Sequence, residues 1–232
     1  MFLADPQSTS FDLQFWIGRI PVRVHPLFWL IMALLGWNPD DLRATLIWTL
    51  CGFVSILAHE LGHAFTAQYF GHRPHIVLYA FGGFASYESV WRQSAWRSIA
   101  ITAAGPAVSF LTGGLALGSW FLLAKYHAWP ADQERAELLG LVLWFLIQQG
   151  IGWGIFNCIP IYPLDGGRIV RHLAEHFAPI RGRDLSLKLS LALAAIITVY
   201  SFQHGGTFLG LMFLQIGFMN WQELQGPWRS YR

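Results

Sequence analysis

His59-Glu60-Leu61-Gly62-His63 places two imidazoles four residues apart with a carboxylate between them. On a helix, positions i and i+4 share one face a turn apart, so both rings can reach a single cation. Glu60 falls beside them, placed to take a proton from a water that the cation activates. This is the chemistry of metal-assisted hydrolysis, with His59 and His63 as metal ligands and Glu60 as the base. Among nine His and six Glu in 232 residues, chance produces the pattern in roughly one chain in a hundred. The segment is also strongly apolar, and a charged group at the centre of a membrane helix costs about 2.5–3.5 kcal/mol. Core packing explains one histidine there. It does not explain two at ligand spacing flanking a glutamate.

A hydrolytic zinc site takes three protein ligands and leaves a fourth position open. Asp165 is the acid placed to supply the third. It lies in Asn157-Cys158-Ile159-Pro160-Ile161-Tyr162-Pro163-Leu164-Asp165-Gly166-Gly167. The two prolines end a helix and the glycine pair permits a tight turn, so the aspartate can point back into a bundle. Taken alone, Asp165 would more simply cap the helix that follows. Whether it meets the His-Glu-His turn depends on how the chain is threaded.

Composition defines the thread. Hydrophobic residues make up 54% of the chain and charged residues 12%, with twelve Trp and eighteen Phe. Soluble domains carry about twice that charge. The numbers exclude a disordered chain and a disulfide-stapled module and point to an all-α polytopic membrane protein. A net charge of +2 without a basic stripe argues against a nucleic-acid partner. Cys51 and Cys158 both lie in apolar runs and read as packing thiols.

About 20 apolar residues are needed for each spanning helix. Six segments qualify, near Val22–Trp37, Ala44–Phe70, Ala95–Leu123, Leu138–Ile159, Leu185–Phe202 and Thr207–Trp221. With the N-terminus inside, only Arg43, Lys125 and Arg135 of the fifteen Lys and Arg fall outside, as the positive-inside bias requires. Both termini are then expected in the cytoplasm of a prokaryotic cell, with the chain multi-pass in the plasma membrane. The first 23 residues lack the pattern of a cleavable signal, so the first membrane segment is expected to direct insertion. Two crossings separate the His-Glu-His turn from Asp165, so both lie near the same face in either orientation. Between them, Ile76–Phe81, Gly82-Gly83 and Phe84–Tyr87 suggest a small hairpin apolar enough to dip into the membrane. Arg168–Phe177 reads as a short amphipathic stretch at the interface. No linker is visible, and residues 1–232 are expected to form one membrane domain, with the chemistry-bearing motifs inside about 44–167.

H-E-x-x-H in one membrane helix, paired with N-x-x-P-x-x-P-L-D-G two helices later, resembles the site-2 protease family of intramembrane zinc metalloproteases. The correspondence covers about half the chain. It implies a six-helix bundle with a three-helix catalytic core. It also implies one zinc held by His59, His63 and Asp165, with Glu60 as catalytic base. The Gly82-Gly83 hairpin then corresponds to the family's membrane-dipping β-loop, and Ala104-Gly105-Pro106 to its packing motif in the third helix. Many relatives carry a PDZ or CBS domain, and neither is expected within residues 1–232.

Asn157, about two helical turns before Asp165, is a candidate donor to the oxyanion of the transition state; its alternative is an interhelical hydrogen bond. Gln148 and Gln149 read as packing polar residues or part of a water path. A substrate helix must unwind before cleavage, which favours Gly, Pro, Ser or Asn in its span, and an extended strand could add to the hairpin edge. The expected partners are transmembrane protein or remnant signal peptide substrates, the lipid bilayer and a regulatory membrane protein. Two rival classes remain at this point. A membrane di-iron desaturase or hydroxylase would draw on His72, His75, His172 and His176, but the chain has no adjacent His-His and the Asn157–Gly167 motif would go unexplained. A non-enzymatic metal-binding membrane protein would want a fourth protein ligand. His172-Leu173-Ala174-Glu175-His176 also reads as an inverted zinc motif, better explained as a solvated interfacial helix.

Overall fold

A computed structural model describes residues 7–80, 82–88 and 94–226. Seven helices and four strands follow in the order β1 (Leu13–Ile17), β2 (Ile20–Val24), α1 (Pro26–Leu35), α2 (Leu42–Tyr69), β3 (Arg73–Tyr79), β4 (Gly82–Glu88), α3 (Ala95–Lys125), α4 (Gln133–Cys158), α5 (Asp165–Phe177), α6 (Gly182–Gln203) and α7 (Thr207–Gln225).

The helices are inside-out relative to those of a water-soluble domain. On α2, Leu46, Leu50 and Val54 recur every fourth residue and are more than half exposed, while Thr45, Thr49, Gly52 and Ser55 are buried. Apolar chains facing outward and small or hydroxyl residues facing neighbours are what a helix in lipid requires. Asp41 starts α2 by accepting a hydrogen bond from the Ala44 amide at 3.0 Å. Helices α2, α3, α4 and α6 are long and apolar enough to cross a bilayer. The chain is therefore a membrane protein with at least these four candidate spans. α1 has ten residues, about 15 Å of helix, because Val22–Val24 of the expected first segment belong to β2. α7 has 19 residues.

The described residues divide into two compact units, with α3 and α4 each contributing to both. The first unit contains the sheet, of order β1-β2-β3-β4. β1 and β2 form an antiparallel hairpin turning at Gly18, whose φ is +60°. β2 then pairs in parallel with β3, Val22 opposite Ile76 and Val24 opposite Leu78. Ile20, Val22, Val24, Ile76 and Leu78 alternate onto one face and pack with Phe28, Met32 and Ile56 into a closed apolar core. The sheet is larger than the hairpin expected from the sequence. The expected hairpin is present as β3–β4, but Tyr79 pairs with Gly82, so the glycines belong to β4 rather than to the turn.

α2 and α4 are joined by Gln149, whose amide donates to the Trp48 carbonyl at 3.1 Å. α3 and α4 touch backbone to backbone, since a Cβ on Gly150 would lie 2.7 Å from the Gly113 backbone. In the second unit, Ile161, Ala194 and Phe213 form the core beneath α6 and α7. Both cysteines are free; Cys51 is buried as expected, whereas Cys158 is exposed.

Candidate active site

His59, Glu60 and His63 occupy the buried half of α2, at 2%, 4% and 8% exposure. Their spacing brings the two rings to 4.7 Å between centroids at 83°. The two Nε2 atoms face each other at 3.1 Å. Two nitrogens bound tetrahedrally to one zinc would be roughly 3.3 Å apart, so this pair already has ligand spacing. His59 Nδ1 lies 2.9 Å from Ser109 Oγ of α3. That contact fixes the ring and leaves Nε2 for the shared point. Ser109 is 1% exposed. No motif marks it; the only signal in the sequence is a hydroxyl one helical turn after Gly105.

Gly105 leaves the space in front of the rings. A Cβ there would run into His63 Nε2 and sit 2.8 Å from His59 Nε2. The Ala104-Gly105-Pro106 motif thus presents a bare backbone to the two imidazoles. Gly83 does the same for the carboxylate. A Cβ there would lie 2.7 Å from Glu60 Cγ and 3.0 Å from Oε1, so β4 runs directly against the candidate base.

Asp165 is the first residue of α5, buried at 6% exposure. Leu164 holds the N-cap position. Asp165 is therefore not the N-cap residue of α5. The ligand atoms of His59, His63 and Asp165 lie within 4.8 Å of one another, and all three residues are buried. Two imidazoles and one carboxylate suit zinc as a three-ligand set with a fourth position open, and Gly105 leaves space in front of the two rings. The group is positioned to bind a metal ion.

Asn157 is buried in the last turn of α4, at 8% exposure. The histidines of the inverted motif have other surroundings. His176 packs against the rings of Trp96 and Phe177. Glu175 accepts from Arg171 Nε at 2.9 Å, and Arg171 also reaches Glu223 at 2.8 Å. Burial pushes the His172 imidazole pKa down, Glu175 opposes this, and Arg171 and Arg168 reinforce it. Among the described residues, neither His72 and His75 nor the inverted motif joins a group of three potential metal ligands. A di-iron centre built from histidine boxes finds no support.

The family model for peptidase family M50 matches residues 48–139 and 117–197. A zinc metalloprotease of Methanocaldococcus jannaschii is 31% identical over 216 residues, covering 90% of this chain and 59% of its own. Stage IV sporulation protein FB of Bacillus subtilis is 29% identical over 185 residues, covering 78% of this chain and 58% of its own. The chain thus spans less than two thirds of the length of these curated relatives. The solved site-2 protease from Methanocaldococcus jannaschii superposes with a TM-score of 0.62 at 24% identity, over 96% of this chain and 99% of that one, and shares the fold. With its H-E-x-x-H helix and Asp165 segment inside the matched region, the chain belongs to peptidase family M50, the site-2 protease family.

Proposed function

We propose that this chain is an intramembrane zinc metalloendopeptidase that cleaves transmembrane segments of other membrane proteins. The observation that supports the reading is the buried group of His59, His63 and Asp165, whose ligand atoms lie within 4.8 Å of one another. Zinc held by these three residues supplies Lewis acidity toward a water and toward the scissile carbonyl. Glu60 accepts the proton of the attacking water and delivers it to the leaving amine. Its burial beside β4 keeps that transfer away from bulk solvent. Asn157 donates its side-chain amide to the developing oxyanion.

β4 is the last strand in the sheet order, and its Gly83 backbone lies against Glu60. A substrate unwound into a strand along β4 would run its peptide bonds past the base. This favours transmembrane proteins or remnant signal peptides with helix-weakening residues in the span. α1 and α7 complete six membrane segments with both termini in the cytoplasm, in keeping with the basic-residue bias and a prokaryotic plasma membrane. Residues 1–232 then act as one protease domain, with about 44–167 as its catalytic core.

Glu60→Gln tests the mechanism. Detergent-purified protein should retain one zinc per chain and lose cleavage of a reporter transmembrane helix by at least about 10²-fold. Undiminished proteolysis in this variant refutes the role of Glu60.

A further inference from the structure

We propose that Ser190 of α6 and Asn220 of α7 are positioning residues for Asp165, acting through the backbone of Tyr162. The inference rests on Asp165 being a metal ligand. Tyr162 lies in the short segment between α4 and α5, three residues before Asp165. Its amide donates to Ser190 Oγ at 2.9 Å. Its carbonyl accepts from Asn220 Nδ2 at 2.6 Å. Two helices therefore hold the two polar groups of one residue.

Each clamp is itself fixed. The Ser190 hydroxyl donates to the Ser186 carbonyl at 2.9 Å, which leaves its oxygen to accept from Tyr162. The second Asn220 amide hydrogen goes to the Ile216 carbonyl at 2.8 Å. Because both neighbours of the Asn220 amide are carbonyls, only the NH2 end can face them. Ser190 and Asn220 are each 1% exposed, and apolar residues would pack α6 against α7 equally well. Their shared target explains why polar groups stand there.

The far side of the same segment is also filled. A Cβ on Gly167 would run into the Tyr162 amide nitrogen, and a Cβ on Gly166 would lie 2.6 Å from the Ile159 carbonyl. The first turn of α5, which begins with Asp165, is thus packed on the backbone that Ser190 and Asn220 hold. Pro160 and Pro163 restrict the remaining dihedrals of the segment. Releasing Tyr162 shifts the floor under Asp165 and so the position of its carboxylate.

The test is zinc affinity of the detergent-purified full chain, measured by competition with a chromophoric chelator, with the cobalt(II) spectrum as a second readout. Ser190→Ala and Asn220→Ala should each weaken zinc about tenfold, the low end for groups that orient a ligand, and alter the cobalt bands. Ser190→Thr, which keeps the hydroxyl, should restore affinity to within about twofold of wild type. Thr198→Val removes another buried α6 hydroxyl, bonded to the Ala194 carbonyl at 2.7 Å, and should lower thermal stability without changing affinity. In an Asp165→Asn background the two clamp variants should have no further effect, since they act through that carboxylate. Wild-type affinity in either folded clamp variant overturns the proposal, as does an undiminished tenfold loss in the Asp165→Asn background. Wild-type affinity in Asp165→Asn alone instead removes the metal-ligand reading on which it rests.

Discussion

Gly105→Ala separates metal binding from folding. In an exposed helix interior, replacing Gly by Ala gains about 0.5–1 kcal/mol of helix stability. At Gly105 the new methyl would sit 2.8 Å from His59 Nε2, where ordinary contacts begin at 3.4 Å, and closer still to His63 Nε2. The rings must retreat by about 0.6 Å or more, away from their shared point. A misplacement of roughly 1 Å costs about 10²-fold in a reacting geometry. Zinc affinity and reporter cleavage should both fall about 10²-fold, while the metal-free protein elutes as a folded species. Gly114→Ala is the control, because nothing lies within 4 Å of its Cβ position on the same helix; it should be neutral or slightly stabilising. Affinity in Gly105→Ala within threefold of wild type, by chelator competition, would falsify the cradle argument.

Ser109→Ala removes the partner of His59 Nδ1 and should weaken zinc by about 10- to 100-fold, with Ser109→Thr closer to wild type; equal affinities would show that the contact does not orient the ring. For His172, burial holds the folded-state pKa below the ordinary imidazole value. The stability it contributes is complete above about pH 6.5, the ordinary value, and declines as pH falls through the lower folded-state value. Thermal midpoints measured between pH 7 and pH 5 should therefore fall less steeply in His172→Gln than in wild type, and parallel slopes would contradict this.

The long helices were legible because lipid imposes a simple rule on composition. The segments expected at Ala44–Phe70 and Ala95–Leu123 are found at Leu42–Tyr69 and Ala95–Lys125. His59, His63 and Asp165 were legible because ligand chemistry restricts residue type and spacing together. The β1–β2 hairpin was not anticipated. Its strands are five residues long and Pro21 interrupts one of them, so the alternation of Ile20, Val22 and Val24 is too brief to outweigh the reading of Val22–Trp37 as a membrane segment. The parallel β2–β3 pair joins segments separated by two helices, which local periodicity cannot reveal. Ser109, Ser190 and Asn220 belong to no motif. Their roles come from partners 50, 28 and 58 residues away, and a linear pattern carries no such distances.

That parallel pair also dictates an order of events during synthesis. Val22 emerges early, but its partner Ile76 follows only after α1 and α2 have been made. Closing a flexible loop of roughly fifty residues costs about 3.5 kcal/mol in chain entropy, which insertion of the intervening helices would lower by tethering both ends. A nascent chain halted before Arg73 therefore displays an unlatched hairpin with the H-E-x-x-H helix already complete. Glu60 acquires its strand neighbour only when β4 folds back, so the ribosome delivers the helix that carries His59 and His63 before it delivers the wall beside Glu60.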